Sequence, residues 1–134
     1  MASRLNPYIS FNGTARQAME FYKDVFGGEL NINTFGEYGQ QDNADGVMHA
    51  MLETPAGFTI MASDTPEHVP YNKGDDISVS LSGEDEAELR GYWDKLTSEG
   101  KVTMPLEKQM WGDTFGMVTD QFGIAWMVNI TQPS

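Results

Sequence analysis

Met51-Leu52-Glu53-Thr54-Pro55-Ala56-Gly57-Phe58-Thr59-Ile60-Met61 and Met117-Val118-Thr119-Asp120-Gln121-Phe122-Gly123-Ile124-Ala125-Trp126-Met127 are one pattern written twice. In each, β-prone residues run up to a four-residue turn that ends in glycine, and a methionine stands four residues beyond that glycine. Apolar runs broken by a short Gly- and Pro- or Asp-containing turn read as hairpins. The first hairpin is expected over 47–53 and 58–62, the second over 115–119 and 124–130.

The duplication extends upstream. A short β-prone run over 7–11 ends at Asn12-Gly13, and Thr14 is placed to cap a helix whose apolar residues recur at helical spacing: Ala15, Ala18, Met19, Tyr22, Val25 and Phe26. Gly27-Gly28 stops it, and 30–35 alternates as a half-buried strand. A polar loop over 36–46 follows. In the second half, 77–81 reads as a strand closed by Ser82-Gly83. A helix over 84–98 comes next, with an acidic start that suits the positive end of the helix dipole and an apolar face of Ala87, Leu89, Tyr92, Trp93 and Leu96. A short strand over 101–104 and a loop over 105–112 lead into the second hairpin. Phe21-Tyr22 matches Tyr92-Trp93, and Gly28 matches Gly100. The expected fold is α+β: two β-α-β-β-β modules in one domain, about 5–63 and 76–131, joined by a linker over about 64–75. A unit this small buries its sheet face poorly alone, so eight strands are expected to form a curved mixed sheet around a concave cavity, with the helices outside.

Composition narrows the function. The chain has 134 residues, 40% apolar and 11% aromatic, enough for one packed core. Twenty acidic residues against eight basic ones give a formal charge of -12, a surface that repels phosphate backbones and anionic lipid. Nucleic acid and membrane are therefore excluded as first partners. Cysteine is absent, which removes disulfides, thiolate metal sites and a Cys nucleophile. The first residues carry no apolar leader, so the cytoplasm is the expected compartment.

Three stretches carry a resemblance: 18–28 (Ala-Met-Glu-Phe-Tyr-Lys-Asp-Val-Phe-Gly-Gly), 46–50 (Gly-Val-Met-His-Ala) and 111–126, from Trp111-Gly112-Asp113 to Ala125-Trp126. With the duplicated module they resemble the vicinal-oxygen-chelate superfamily, which includes glyoxalase I, extradiol dioxygenases, fosfomycin-resistance enzymes and bleomycin-binding proteins. Within it the chain looks closest to the PhnB-like branch. The resemblance implies a homodimer, since the superfamily commonly pairs modules between chains. In metal-dependent members, imidazole and carboxylate ligands come from the first and last strands of each half. The last-strand carboxylate usually lies four residues after the turn glycine, where this chain has Met61 and Met127. The first strands offer Tyr8 and Ser10, then Ser78 and Ser80. A thioether suits Cu(I) rather than Zn, Ni or Mn. The expectation is the fold without the superfamily metal, and without a cofactor, since no Gly-rich cofactor loop is present.

Only two histidines exist, and His68 sits in the acidic linker. His49 lies mid-strand, in phase with Met51 and Glu53. It reads either as a hydrogen-bonded core histidine or as a general base, with Glu53 as the alternative base; a metal site combining His49 with Glu37 or Glu53 would fall short of the three ligands of a catalytic Zn site. Trp111 and Asp113, in the loop feeding the second hairpin, read either as turn residues or as an aromatic wall with an acid above a small-molecule ligand. Phe35, Phe115, Met61 and Met127 would extend that wall with apolar, polarisable surface. The leading expectation is a small-molecule binder, with a lyase or isomerase acting next to a carbonyl, or a purely structural module, as alternatives.

Overall fold

The computed structural model describes residues 3–39, 44–66 and 68–132. The loop expected over 36–46 and the linker over 64–75 thus lie partly outside the described residues, at 40–43 and at 67. Two compact units divide at residues 72 and 73. The first holds β1 (Tyr8–Phe11), α1 (Ala15–Phe26), β2 (Glu29–Thr34), a 3₁₀ turn (Gly36–Tyr38), β3 (Val47–Glu53) and β4 (Thr59–Asp64). The second holds β5 (Val79–Gly83), α2 (Glu86–Thr97), β6 (Lys101–Lys108), β7 (Thr114–Thr119) and β8 (Ala125–Ile130). The eight expected strands fall into two four-stranded mixed sheets, ordered β1-β4-β3-β2 and β5-β8-β7-β6. In each, the first strand pairs parallel to the last and the rest are antiparallel.

The internal repeat extends to the register of the hairpins and of the parallel first strands. Met51 faces Met61 across the first hairpin and Met117 faces Met127 across the second. Tyr8 lies beside Met61 as Ser80 lies beside Met127. The turn glycines adopt the same left-handed conformation, φ 92° at Gly57 and 88° at Gly123. Thr54 Oγ1 accepts from the Phe58 N–H, and Asp120 Oδ1 accepts from the Ile124 N–H, so one turn is closed twice with different side chains.

Helix α1 buries the six residues its spacing predicts: Ala15, Ala18, Met19, Tyr22, Val25 and Phe26. It packs on the sheet face that carries Ala50, Leu52, Ile60 and Ala62. Its cap differs from expectation. Thr14 occupies the cap position but its hydroxyl makes no capping bond. Asp64, at the end of β4, supplies the acceptor instead: Oδ1 takes the N–H groups of Gly13 (3.1 Å) and Ala15 (2.9 Å), and Oδ2 takes that of Val47 (2.9 Å). Its side chain is buried, which a carboxylate tolerates only with such donors around it.

Several expected boundaries move. Strand β5 starts two residues later than expected and continues through Ser82-Gly83, leaving Ile77 81% exposed. Gly83 is held in the sheet opposite Ile130, and its carbonyl accepts from Thr131. Strand β6 runs on to Lys108, through the expected loop. Pro105 is tolerated there because β6 is an edge strand and its register slips on both sides of Met104. In α2, Asp85 caps the helix by accepting from the Glu88 N–H, and Leu89, Trp93 and Leu96 are buried, while Ala87 is exposed and Tyr92 half-buried. Partial burial raises the Tyr92 phenol above its ordinary pKa, helped by the charges of Glu88 and Asp85.

Candidate functional site

Each sheet has one face under its helix and one without, and alternation decides which residues stand on the second. In the first unit, the buried residues of β3 and β4 lie toward α1. His49, Met51 and Glu53, together with Met61, therefore share the helix-free face. Tyr8 joins them: it is the parallel partner of Met61, and its ring centroid lies 5.8 Å from that of His49, tilted by 49°. His49 is half-buried between Asn33 on β2 and the Tyr8 ring. Glu53 sits at the far end of the strand, exposed and opposite Glu29. Four residues of strand separate it from His49 by about 13 Å, so the two do not form an acid–base pair within this unit.

Glu37 is engaged locally. Its carboxylate accepts from the N–H and hydroxyl of Thr34, and its own N–H donates to Thr34 Oγ1, a reciprocal cap of the 3₁₀ turn. Among the described residues, no three His, Asp or Glu side chains gather as a metal-holding group. Phe35 precedes that turn and is 6% exposed, so it is buried rather than open to solvent. The strand expected over 30–35 ends one residue short of it.

The second unit brings more of the expected residues together. Phe115, Met117, Met127 and Asn129 share the helix-free face, with Phe115 opposite Asn129 and Met117 opposite Met127. The loop between β6 and β7 is a tight turn: the Gln109 N–H donates to the Asp113 carbonyl and the Gly112 N–H to the Gln109 carbonyl. This turn places the Trp111 ring 6.2 Å from that of Phe115, tilted by 59°. Asn129 Nδ2 donates to Asp113 Oδ2 at 3.1 Å, which orients the carboxylate beside the aromatic pair. Trp111 remains 61% exposed. The arrangement offers an indole face, a phenyl ring, an oriented carboxylate and adjoining thioethers, the elements that hold an organic cation.

Asn129 and Tyr8 were not singled out for these roles by sequence reasoning. Asn129 is legible as a polar residue two positions beyond Met127, hence on the same face; only the turn geometry adds that it reaches Asp113.

The Glyoxalase/Bleomycin resistance protein/Dioxygenase superfamily profile matches residues 4–128. The chain belongs to that superfamily. Within it, the chain is similar to protein YjdN of Escherichia coli (strain K12), 31% identical over 96% of this chain and 95% of that one. The crystal structure of protein PA1353 from Pseudomonas aeruginosa is 38% identical and superimposes with a TM-score of 0.88, covering 98% of this chain and all of the other. A PhnB protein from Bacillus cereus shares the fold at 23% identity and a TM-score of 0.77, over 96% of this chain and 100% of that one. Two repeated β-α-β-β-β units are what this glyoxalase-type membership requires, and both are present.

Proposed function

We propose that this glyoxalase-superfamily chain binds a small aromatic or apolar cation at the Trp111–Asp113–Phe115 turn, acting as a binding protein rather than through a superfamily-type metal. The observation that carries the reading is the oriented Asp113 carboxylate beside the paired rings of Trp111 and Phe115. Met127 and Met117 continue that surface along the sheet, and Met61 occupies the equivalent place in the other unit. A formal charge of -12 favours cationic over anionic ligands before any contact forms. Thermal-shift screening with cationic, neutral and anionic aromatics tests this. Cations are expected to stabilise the protein, by about 2.7 kcal/mol at one hundred times the dissociation constant. Trp111→Ala and Asp113→Asn should each remove most of the shift. Equal shifts with anions, or none with any class, would refute it.

The second reading, a lyase or isomerase acting next to a carbonyl, draws on the half-exposed His49 beside Tyr8. It gains ground only if purified protein carries stoichiometric Zn, Ni, Mn or Fe that disappears in His49→Ala. The expected result is well under one equivalent in both proteins.

A further inference from the structure

We propose that Met104, Met117 and Met127 form a site for a soft monovalent metal ion, Cu(I) or its analogue Ag(I). Met104 is paired opposite Met117, and Met117 opposite Met127, so the three form one row across β6, β7 and β8. Directly opposed residues of antiparallel strands share a face, and here it is the face away from α2; the buried Gly116, Val118, Trp126 and Val128 stand on the other, toward the helix. Adjacent strands lie about 4.8 Å apart, so the outer two methionines stand about 10 Å from each other with the third between them. Methionine is unbranched with three rotatable bonds, which lets the outer thioethers lean toward the central one.

Burial separates this row from packing. Met19 shows what a core methionine looks like in this chain: it is fully buried on the inner face of α1. Met104 is 40% exposed, and Met117 and Met127 are both partly exposed. The first unit supplies an internal comparison. Its equivalent pair, Met51 and Met61, has Asn31 in the third place, an amide instead of a thioether. Only the second sheet completes a three-thioether row, and its edge strand carries a register slip on each side of Met104. Such bulges re-aim the side chain they flank. Three neutral, soft donors select Cu(I) over Zn(II) or other hard divalent ions. The site shares Met127 with the cation-binding reading but does not depend on it.

The test is anaerobic competition for Cu(I) between the intact protein and the chromophoric chelator bicinchoninate. It is paired with Ag(I) titration followed by the methyl resonances of ¹³C-labelled methionine. One equivalent is expected, with the Met104, Met117 and Met127 methyls moving together. Met117→Leu and Met127→Leu keep apolar volume and should weaken binding at least about tenfold; Met104→Leu, on the exposed edge, should do the same, and it carries the test if either of the other two variants fails to fold by circular dichroism. Met110→Leu, in the adjoining turn, should leave binding unchanged, as should Trp111→Ala, which separates this site from the aromatic one. Failure to take Cu(I) from the chelator, retained affinity in the Leu variants, or shifts spread over Met110 and the partly exposed Met48, Met51 and Met61 would overturn the proposal.

Discussion

A single carboxylate organises the start of α1. Asp64 holds the N–H groups of Gly13, Ala15 and Val47, joining the helix entry, the start of β3 and the end of β4 at one buried point. Each donor left unpaired in a buried setting costs about 1–3 kcal/mol. Asp64→Ala is therefore expected to lower unfolding free energy by about 3 kcal/mol or more, measured by urea denaturation. Thr14→Ala should change it by less than about 0.5 kcal/mol, because its hydroxyl makes no capping bond. The reverse ranking would show that Thr14 is the operative cap. This is also where sequence reading fell short. A Thr before an apolar helical pattern is a sound local signal, but the residue that displaced it lies about fifty positions away in the chain, and no local pattern announces it. Phe35 is a second case: its aromatic character fits a cavity wall and a core equally, and the end of β2 at Thr34 and the burial of Phe35 ahead of the 3₁₀ turn are features of the folded chain, not of its local pattern.

At the scale of elements, the helix ends show why the two halves look alike. A side chain at Gly28 would collide with the Glu53 carbonyl, and one at Gly100 would come within 2.7 Å of the Thr119 carbonyl. Glu53 and Thr119 are equivalent, each closing the third strand of its unit, so both helices are pressed onto the same point of the hairpin. Gly28 also has φ 105°. Gly91 is different: it is exposed inside α2, and a methyl group there would meet nothing. Gly91→Ala is expected to raise stability by about 0.8–1 kcal/mol, the helix-propensity difference. Gly28→Ala should lower it by about 2 kcal/mol or more through strain and collision. Thermal denaturation of the two variants beside the parent checks both signs. The elements themselves were legible because hydrophobic period and turn chemistry agree in each half. The second half of β6 was not: the strand is expected over 101–104, but its continuation to Lys108 passes through Pro105, ordinarily a stop signal, and nothing local tells that it falls on an edge strand where a missing N–H does no harm.

At the scale of the whole molecule, the free sheet edges bear on assembly. The outer strands β2 and β6 carry register slips, and β6 adds Pro105, Lys101 and Lys108, devices that discourage a further strand from adding. The parallel edges β1 and β5 have continuous register and neither Pro nor Lys within them. Large apolar side chains stand exposed beside both: Leu5 is fully exposed ahead of β1, Tyr8 is 51% exposed within it, and Ile77 is 81% exposed ahead of β5. Edge strands that lack such devices within their own sheets and are flanked by exposed apolar residues favour coverage by another surface. A homodimer is the expected outcome. Sedimentation velocity at micromolar concentration should show a species of twice 14.9 kDa, and replacing Leu5 and Ile77 together with Lys should shift it toward the single chain. Because both side chains are exposed in the single chain, the double variant should still unfold cooperatively, at the stability the parent has when diluted below its dimer dissociation constant, to within about 1 kcal/mol. Loss of the dimer with stability retained would place the contact at these edges, whereas a single 14.9 kDa species in the parent protein would rule the dimer out.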